Sequence, residues 1–544
     1  MASEPLRPRA TRAVVRGRHG MVAAAQPLAV EAGVRILRAG GSAVDAAIAT
    51  NAVLAVTEPN ACGLGGDLFV LLNDPKTNEL VGLDASGRAG TRATIDAITP
   101  TDDGLIDLRS AQSWTVPGAV DGWFVMHERF GRLPMKDLLA DAIAVATEGF
   151  PVSEVVAAGW KHGQRYRDIA GFADVYLPDG RAPKEGELFA NPAMGRAFEL
   201  LVAEGRNGFY EGAIAESLVR FSTEQGGFLE LEDLAATRST WIAPMSTSYR
   251  GRVVHQLPPA GQGLAVLQML NIIEGDDLAA LGFDSPDRWH LLIEAKKLAY
   301  ADRARFYADP EVNDLPLDEL VSKAHGRNLR DRIDPARAAL AIEPGDPRLA
   351  TGDTTYLATA DADGMMVSWI QSNYTGFGSG HVLAEWGFGL QNRGGLFALD
   401  PEHPNALAPS KRPFHTIIPG FVTENDAPLM AFGLMGGDMQ PQGHAQVLVN
   451  LWEHGMNLQE AGDVARFHHG GLDEPTGPGP RDGGELSLEA AVPAAVVDEL
   501  KRRGHRIADE PGYFGGYQAV GRDPETGCYL GATESRKDGC ALGW

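Results

Sequence analysis

The chain has 544 residues, 44% of them apolar, with 65 glycines and a formal net charge of -24. That length suits several conventional domains or one large layered body, and the acidic balance argues against nucleic acid or an anionic membrane as partner. No stretch approaches the roughly 18 apolar residues of a membrane span.

The arginine-bearing start MASEPLRPRATRAVVRGRHG carries no apolar run behind it, so a secretory signal is not expected and a cytoplasmic location is. Residues 27–57 then read as two helices broken at Gly40-Gly41, with Ser42 and Asp45 as a capping box. The second of these helices is apolar nearly all round and should be buried. FVLLNDP and LVGLDASG read as a strand pair, and residues 119–147 as amphipathic helix. DRWHLLIEAKKLAYADRARFYADP (287–310) is a long helix whose charges should form a solvated face. The charged segment 311–353 reads as a helix and then a loop. Strands follow in YLATADA, MMVSWIQSN, IIPGFVTE and PLMAFGLMGG, then helices around 440–465 and 488–503 and strands near the end. This order suggests one layered α/β body with helix-covered sheets.

Four places could carry chemistry. GLGGD (63–67) leads into a strand and does not open a helix, so it reads as a tight turn and not as a phosphate loop. RFHH (466–469) lacks the i, i+4 spacing of a zinc protease, and the three cysteines, Cys62, Cys528 and Cys540, have no paired spacing. No metal and no cofactor are therefore expected. LMGGDMQPQG (434–443) sets two glycines between a strand and a helix, where backbone N–H groups can face a developing oxyanion. GDTTY (352–356) sets two threonines at a strand start. A threonine hydroxyl needs a base beside it, and a freed α-amino group is one solution.

In chain order, GGSAVDAAIATNAVLAVTEP, VPGAVDGW, GRNGFYEGAIAESL, EAKKLAYADRARFYADP, GDTTY, SKRPFHTIIP, LMGGD, ARFHH and GATESRKDGCALGW together resemble the gamma-glutamyltransferase family of N-terminal-nucleophile hydrolases. The resemblance runs from about residue 20 to the C-terminus. It implies a four-layer αββα sandwich made as one precursor and cut between Asp353 and Thr354 into segments 1–353 and 354–544, which stay associated. It further implies that Thr354 is the nucleophile, with its own α-amino group as base. Gly436 and Gly437 would form the oxyanion hole, and Ser372, at a position where the family commonly has threonine, would supply a supporting hydroxyl. The implied partners are a small amide substrate, glutathione-like or related, and an amine acceptor for the acyl group.

The departures concern recognition. Leu396 stands where γ-glutamyl binders have an acidic residue for the substrate ammonium, and Arg393 stands where they have glutamine. His415 and Thr416 match the two serines that hold the α-carboxylate. Ser86 falls at the carboxylate-binding arginine, with Arg88 two residues on, and Tyr374 replaces an asparagine. The stretch between Phe397 and SKRP is short, so the family's lid loop is expected to be reduced. A carboxylate-bearing acyl group without an amino group, such as glutaryl, would fit these losses. A glutaryl or cephalosporin-acylase-like amidase and a non-catalytic relative are the alternatives.

Overall fold

Alternation along the strands sorts the apolar side chains into layers, because successive residues of a strand face opposite sides of its sheet. In the segments 21–24, 67–74 and 356–370, Val22, Ala24, Leu68, Val70, Leu72, Leu357 and Trp369 pack under helices. Their neighbours Met21, Ala23, Phe69, Leu71, Tyr356, Ala358 and Ile370 fill a separate layer with Phe421, Ala431 and Val520 of a second sheet. The outer faces of that second sheet, through Val254, Val422, Phe432 and Ala519, pack under another set of helices. The result is helix, sheet, sheet, helix: the four-layer αββα sandwich. The computed structural model describes residues 10–340, 352–472, 474–477, 482–509 and 512–544, with backbone alone at 352 and 353.

One seven-stranded sheet runs in the order Val15–Gly17, Tyr529–Thr533, Tyr517–Arg522, Ala427–Leu434, Gly420–Glu424, Arg252–Gln256, Met245–Tyr249. The other runs Cys540–Gly543, Met21–Ala24, Gly352–Ala360, Met366–Thr375, Asp67–Asp74, Glu79–Ala85, Thr240–Ile242. The strand that begins at Gly352 is thus central, paired antiparallel on both sides.

The helices Pro27–Arg38 and Ala43–Thr57 flank the Gly40-Gly41 break, and Ser42 and Asp45 form the reciprocal capping box. Every residue of the second helix is buried. Two expectations need correction. The helical segment expected over 119–147 is three pieces, Ala119–Phe130, Met135–Leu138 and Ala140–Glu148. Pro134, with no N–H and with its restriction on the preceding residue, accounts for the first interruption. The helix Pro286–Phe306 has no broad solvated face: Arg288, His290, Glu294, Lys296, Lys297 and Arg303 are all buried. Their charge is met inside the protein, as in the Glu294–Lys297 pair at 2.8 Å and the Arg303–Glu474 pair, which is the condition for burying ions at all. The expected linker falls partly outside the described residues, at 341–351.

Candidate active site

Thr354 and Thr355 are adjacent on the central strand and so face opposite ways. The Thr355 hydroxyl donates to Glu58 Oε2 at 3.0 Å, on the side of the helix Ala43–Thr57. Thr354 shares the inter-sheet face with Tyr356 and Ala358. Opposite it the ladder slips. Asp353 pairs with Tyr374 and Thr355 with Gln371, so Ser372 and Asn373 together face Thr354. That is a β-bulge, a device that re-aims side chains. It brings Ser372 Oγ to 3.2 Å from Thr354 Oγ1, which donates to it. The same serine oxygen accepts the Tyr374 N–H at 2.8 Å. Both hydroxyls are fully buried. The Asp353 side chain lies outside the described residues.

Gly436 and Gly437 make the turn between the strand Ala427–Leu434 and the helix Met439–Trp452. Their φ angles are 115° and 58°, the first a conformation that favours glycine. A Cβ on Gly436 would stand 2.7 Å from the Tyr513 ring. Among the described residues neither glycine N–H is given to a protein acceptor. The carbonyls are used, by Met439 N at 2.9 Å and Gln440 N at 3.2 Å. Gln262 Nε2 also donates to the Gly437 carbonyl at 2.7 Å and to the Thr416 carbonyl at 2.6 Å. Gln262 Oε1 in turn accepts from Arg303, which pairs with Glu474. Two buried N–H groups without a protein acceptor, held in one turn, match what an oxyanion requires.

Behind this loop lies a polar interior. The Tyr300 hydroxyl donates to the Asp438 carbonyl, and Asp438 Oδ1 meets His468 Nε2 at 3.1 Å. Burial works against ionising Asp438, but His468, Lys296 and Arg303 prevail and hold its carboxyl below the ordinary value. Lys296 is itself pushed down to about 7 by burial, with its ammonium 3.9 Å from the centre of the Tyr300 ring. RFHH is therefore a buried strand, Phe467–Gly470, whose acidic partner comes from 30 residues upstream.

Arg393 is 0% exposed. Its Nη1 donates to Thr416 Oγ1 at 2.8 Å, and its guanidinium lies 4.9 Å from the Tyr374 ring centre. Burial pushes it down to about 10, against the pull of Asp67. Tyr374 has a φ of 78°, a left-handed conformation that a bulky side chain adopts only when its surroundings enforce it. Thr354, Ser372, Tyr374, Arg393, Thr416, Gln262 and Gly437 are linked in that order by the contacts above, so the site is one connected arrangement.

Leu396 is 1% exposed and packs with Tyr374 and Phe414. His415 Nε2 meets Asp67 Oδ2 at 2.9 Å, and its Nδ1 meets the Pro413 carbonyl at 2.8 Å. Asp67 Oδ1 accepts the N–H groups of Gly87 and Gly118. His415 is thus spent in a clamp that joins GLGGD to SKRPFHT. Arg88 ion-pairs with Glu311 at 2.6 Å and Asp309 at 3.6 Å, in a network separate from the Arg393–Thr416 contact. GLGGD itself is a close-approach turn, since a Cβ on Gly66 would stand 2.6 Å from the Ser372 carbonyl oxygen. The loop after Phe397 is short and is tied down by Asn405 through the Leu396 and Pro475 carbonyls.

A cleft of about 410 Å³ is lined in part by Glu58, Tyr166, Phe377, Tyr513 and Lys537. It therefore reaches the partner of Thr355 and the ring that covers Gly436. Among the described residues one group, His290, Glu294 and His505, brings three metal-type ligands together. Both nitrogens of His290 are occupied, by His505 Nε2 and the Asp334 carbonyl at 2.8 Å each, and Glu294 is paired with Lys297. The cluster reads as a satisfied hydrogen-bond network beside a cation.

The family model for gamma-glutamyltranspeptidase matches residues 29–544. The chain belongs to the gamma-glutamyltranspeptidase family. It is 36% identical over 538 residues to the glutathione hydrolase-like YwrD proenzyme of Bacillus subtilis, covering 97% of this chain and 99% of that one. It is also 36% identical over 536 residues to the oxamate amidohydrolase proenzyme of Klebsiella pneumoniae, covering 97% and 98%. Among solved structures, the cephalosporin acylase from Bacillus halodurans superposes with a TM-score of 0.89 at 40% identity, over 100% of this chain and 99% of that one. This gamma-glutamyltranspeptidase-family chain is an enzyme, and its sandwich is that of the family's hydrolases and acylases. Gln262, Arg303, Tyr513 and Asp67 were not visible as site residues in the sequence. Only the glycines beside Gln262 and Tyr513, in AGQG and GYFGG, hinted at tight turns there.

Proposed function

We propose that this chain is a self-cutting threonine amidohydrolase and acyltransferase. The observation that carries this reading is the Thr354–Ser372 hydroxyl pair, which the bulge sets on the inter-sheet face at the start of a central strand. In the precursor, Thr354 Oγ1 attacks the Asp353 carbonyl carbon. The Asp353–Thr354 C–N bond breaks, and the proton lost from the hydroxyl goes to the departing nitrogen. Water then hydrolyses the ester, leaving the Asp353 carboxylate on one chain and a free Thr354 amine and hydroxyl on the other.

The same hydroxyl next attacks a substrate amide carbonyl, with the freed α-amino group taking the proton. The Gly436 and Gly437 N–H groups face the oxyanion, a role that elsewhere contributes about 10²–10³ in rate per donor. The protonated amine returns the proton to the leaving nitrogen, and water or an acceptor amine resolves the acyl-enzyme. Substrates in reach of this chemistry are γ-glutamyl amides, as the name of the B. subtilis relative suggests, and carboxylate-bearing acyl amides, as that of the Klebsiella relative suggests. The apolar Leu396 beside the cationic Arg393 favours the second class, since neither group can receive a substrate ammonium.

Thr354→Ala should remain one 58.0 kDa chain where the wild type yields two, the smaller with a mass beginning at Thr354. Cleavage at that bond in the variant would refute the mechanism.

A further inference from the structure

A guanidinium has five N–H donors and no acceptor, in a rigid planar fork. Arg393 uses one nitrogen, Nη1, on Thr416 Oγ1 at 2.8 Å. Its Nε and Nη2 are buried and meet no acceptor. Those two atoms share one edge of the guanidinium and present parallel N–H bonds, the pattern that grips a carboxylate through both oxygens. The Asp67 carboxylate lies close enough to be felt by the cation, yet its oxygens are committed to the Gly87 and Gly118 N–H groups and to His415. No side chain among the described residues fills the fork.

Its position is tied to the reacting groups along two short routes. Tyr374, whose ring lies under Arg393, gives its N–H to the same Ser372 oxygen that Thr354 bonds. Thr416, which accepts from Arg393, offers its carbonyl to the Gln262 amide that also holds Gly437. The neighbouring Leu396 and Phe414 are apolar and buried, so an ammonium there would meet hydrocarbon and a cation.

We infer that the Nε–Nη2 edge of Arg393 anchors a carboxylate carried on the acyl group, so that the acyl donor is a monoamide of a dicarboxylic acid with no α-ammonium. This rests on Thr354 being the nucleophile. The two ideas fail differently: loss of the nucleophile abolishes the cut and the acyl-enzyme, whereas loss of the anchor alters only which acyl groups are taken.

The test compares the cut enzyme with Arg393→Met and Arg393→Lys on glutaryl, valeryl and γ-glutamyl p-nitroanilides. The wild type should favour glutaryl over valeryl in kcat/KM by about 100-fold, and over γ-glutamyl as well. Arg393→Met should bring the glutaryl-to-valeryl ratio close to one, and Arg393→Lys, which keeps the charge but not the fork, should leave it at about tenfold. An unchanged ratio in Arg393→Met, or a wild type that prefers γ-glutamyl, overturns the inference. Should Arg393→Met fail to mature, inhibition of the wild type decides: glutarate must compete better than valerate, and equal inhibition overturns the anchor.

Discussion

Replacing Ser372 by alanine removes one oxygen that serves two donors. The Thr354 hydroxyl loses its acceptor at 3.2 Å, and the Tyr374 N–H loses its acceptor at 2.8 Å. The first is a neutral hydrogen bond of about 0.5–1.5 kcal/mol. The second takes from a buried N–H its Ser372 acceptor, a loss of roughly 1–3 kcal/mol, at a residue whose φ of 78° already needs support. Stability should therefore fall by about 1.5–4.5 kcal/mol. Loss of the bond that aims Thr354 should slow self-cutting by about tenfold, the equivalent of about 1.4 kcal/mol in the barrier. Ser372→Thr keeps the oxygen and should cut within a few-fold of the wild type. The assay is the first-order appearance of the small chain after cell-free synthesis, followed by intact mass, with circular dichroism to confirm folding. A folded Ser372→Ala that cuts at the wild-type rate would refute this account, as would a Ser372→Thr that is as slow as the alanine variant.

Gly436→Ala forces a Cβ against the Tyr513 ring at a φ of 115°, so the turn must shift and its N–H with it. The kcat of the cut enzyme on an anilide should drop by about 10²–10³, and a value within threefold of wild type would remove Gly436 from the oxyanion hole. Lys296 gives a pH prediction. Burial lowers its pKa to about 7, while in the unfolded chain it stays near 10.4. Between those values the unfolded state holds more protons, so stability from this group rises with pH by up to about 1.4 kcal/mol per unit and is lowest below pH 7. Lys296→Met should therefore gain on the wild type most at pH 7 and least at pH 9 in urea unfolding. A difference that does not change with pH would contradict the buried, neutral-leaning amine.

What could be read from the sequence was what is encoded locally. The Ser42 box, the glycine break before it and the alternating strands around Thr354 depend on neighbours within a few residues, and the structure places them as expected. The glycine pair could be assigned to a strand-to-helix turn for the same reason. Long-range pairing left no such trace. Asp67 and His415 meet across 348 residues, so His415 read as a substrate contact when its ring is in fact tied to a carboxylate. The buried charges of the helix Pro286–Phe306 looked like a solvated face because their partners, such as Glu474 and Gln262, lie far away in the chain. Arg393 stands out in the sequence only as a departure from a family pattern. Its unfilled donor edge depends on what surrounds it, which no spacing in the sequence expresses.

Both sheets interleave strands from the two sides of the Asp353–Thr354 bond. In one, Gly352–Ala360 lies between Met21–Ala24 and Met366–Thr375; in the other, Val15–Gly17 pairs with Tyr529–Thr533, and Gly420–Glu424 with Arg252–Gln256. A cut there releases nothing, because separating the pieces would tear both sheets across the middle. It does erase the covalent continuity that brought the strands into register. The two pieces, once unfolded, would face a second-order search that the uncut chain never had to make. The mature enzyme would then persist through its slow unfolding and not through its capacity to refold: each molecule is assembled once, and heat or denaturant should be a one-way exit for it but not for a chain that cannot cut itself.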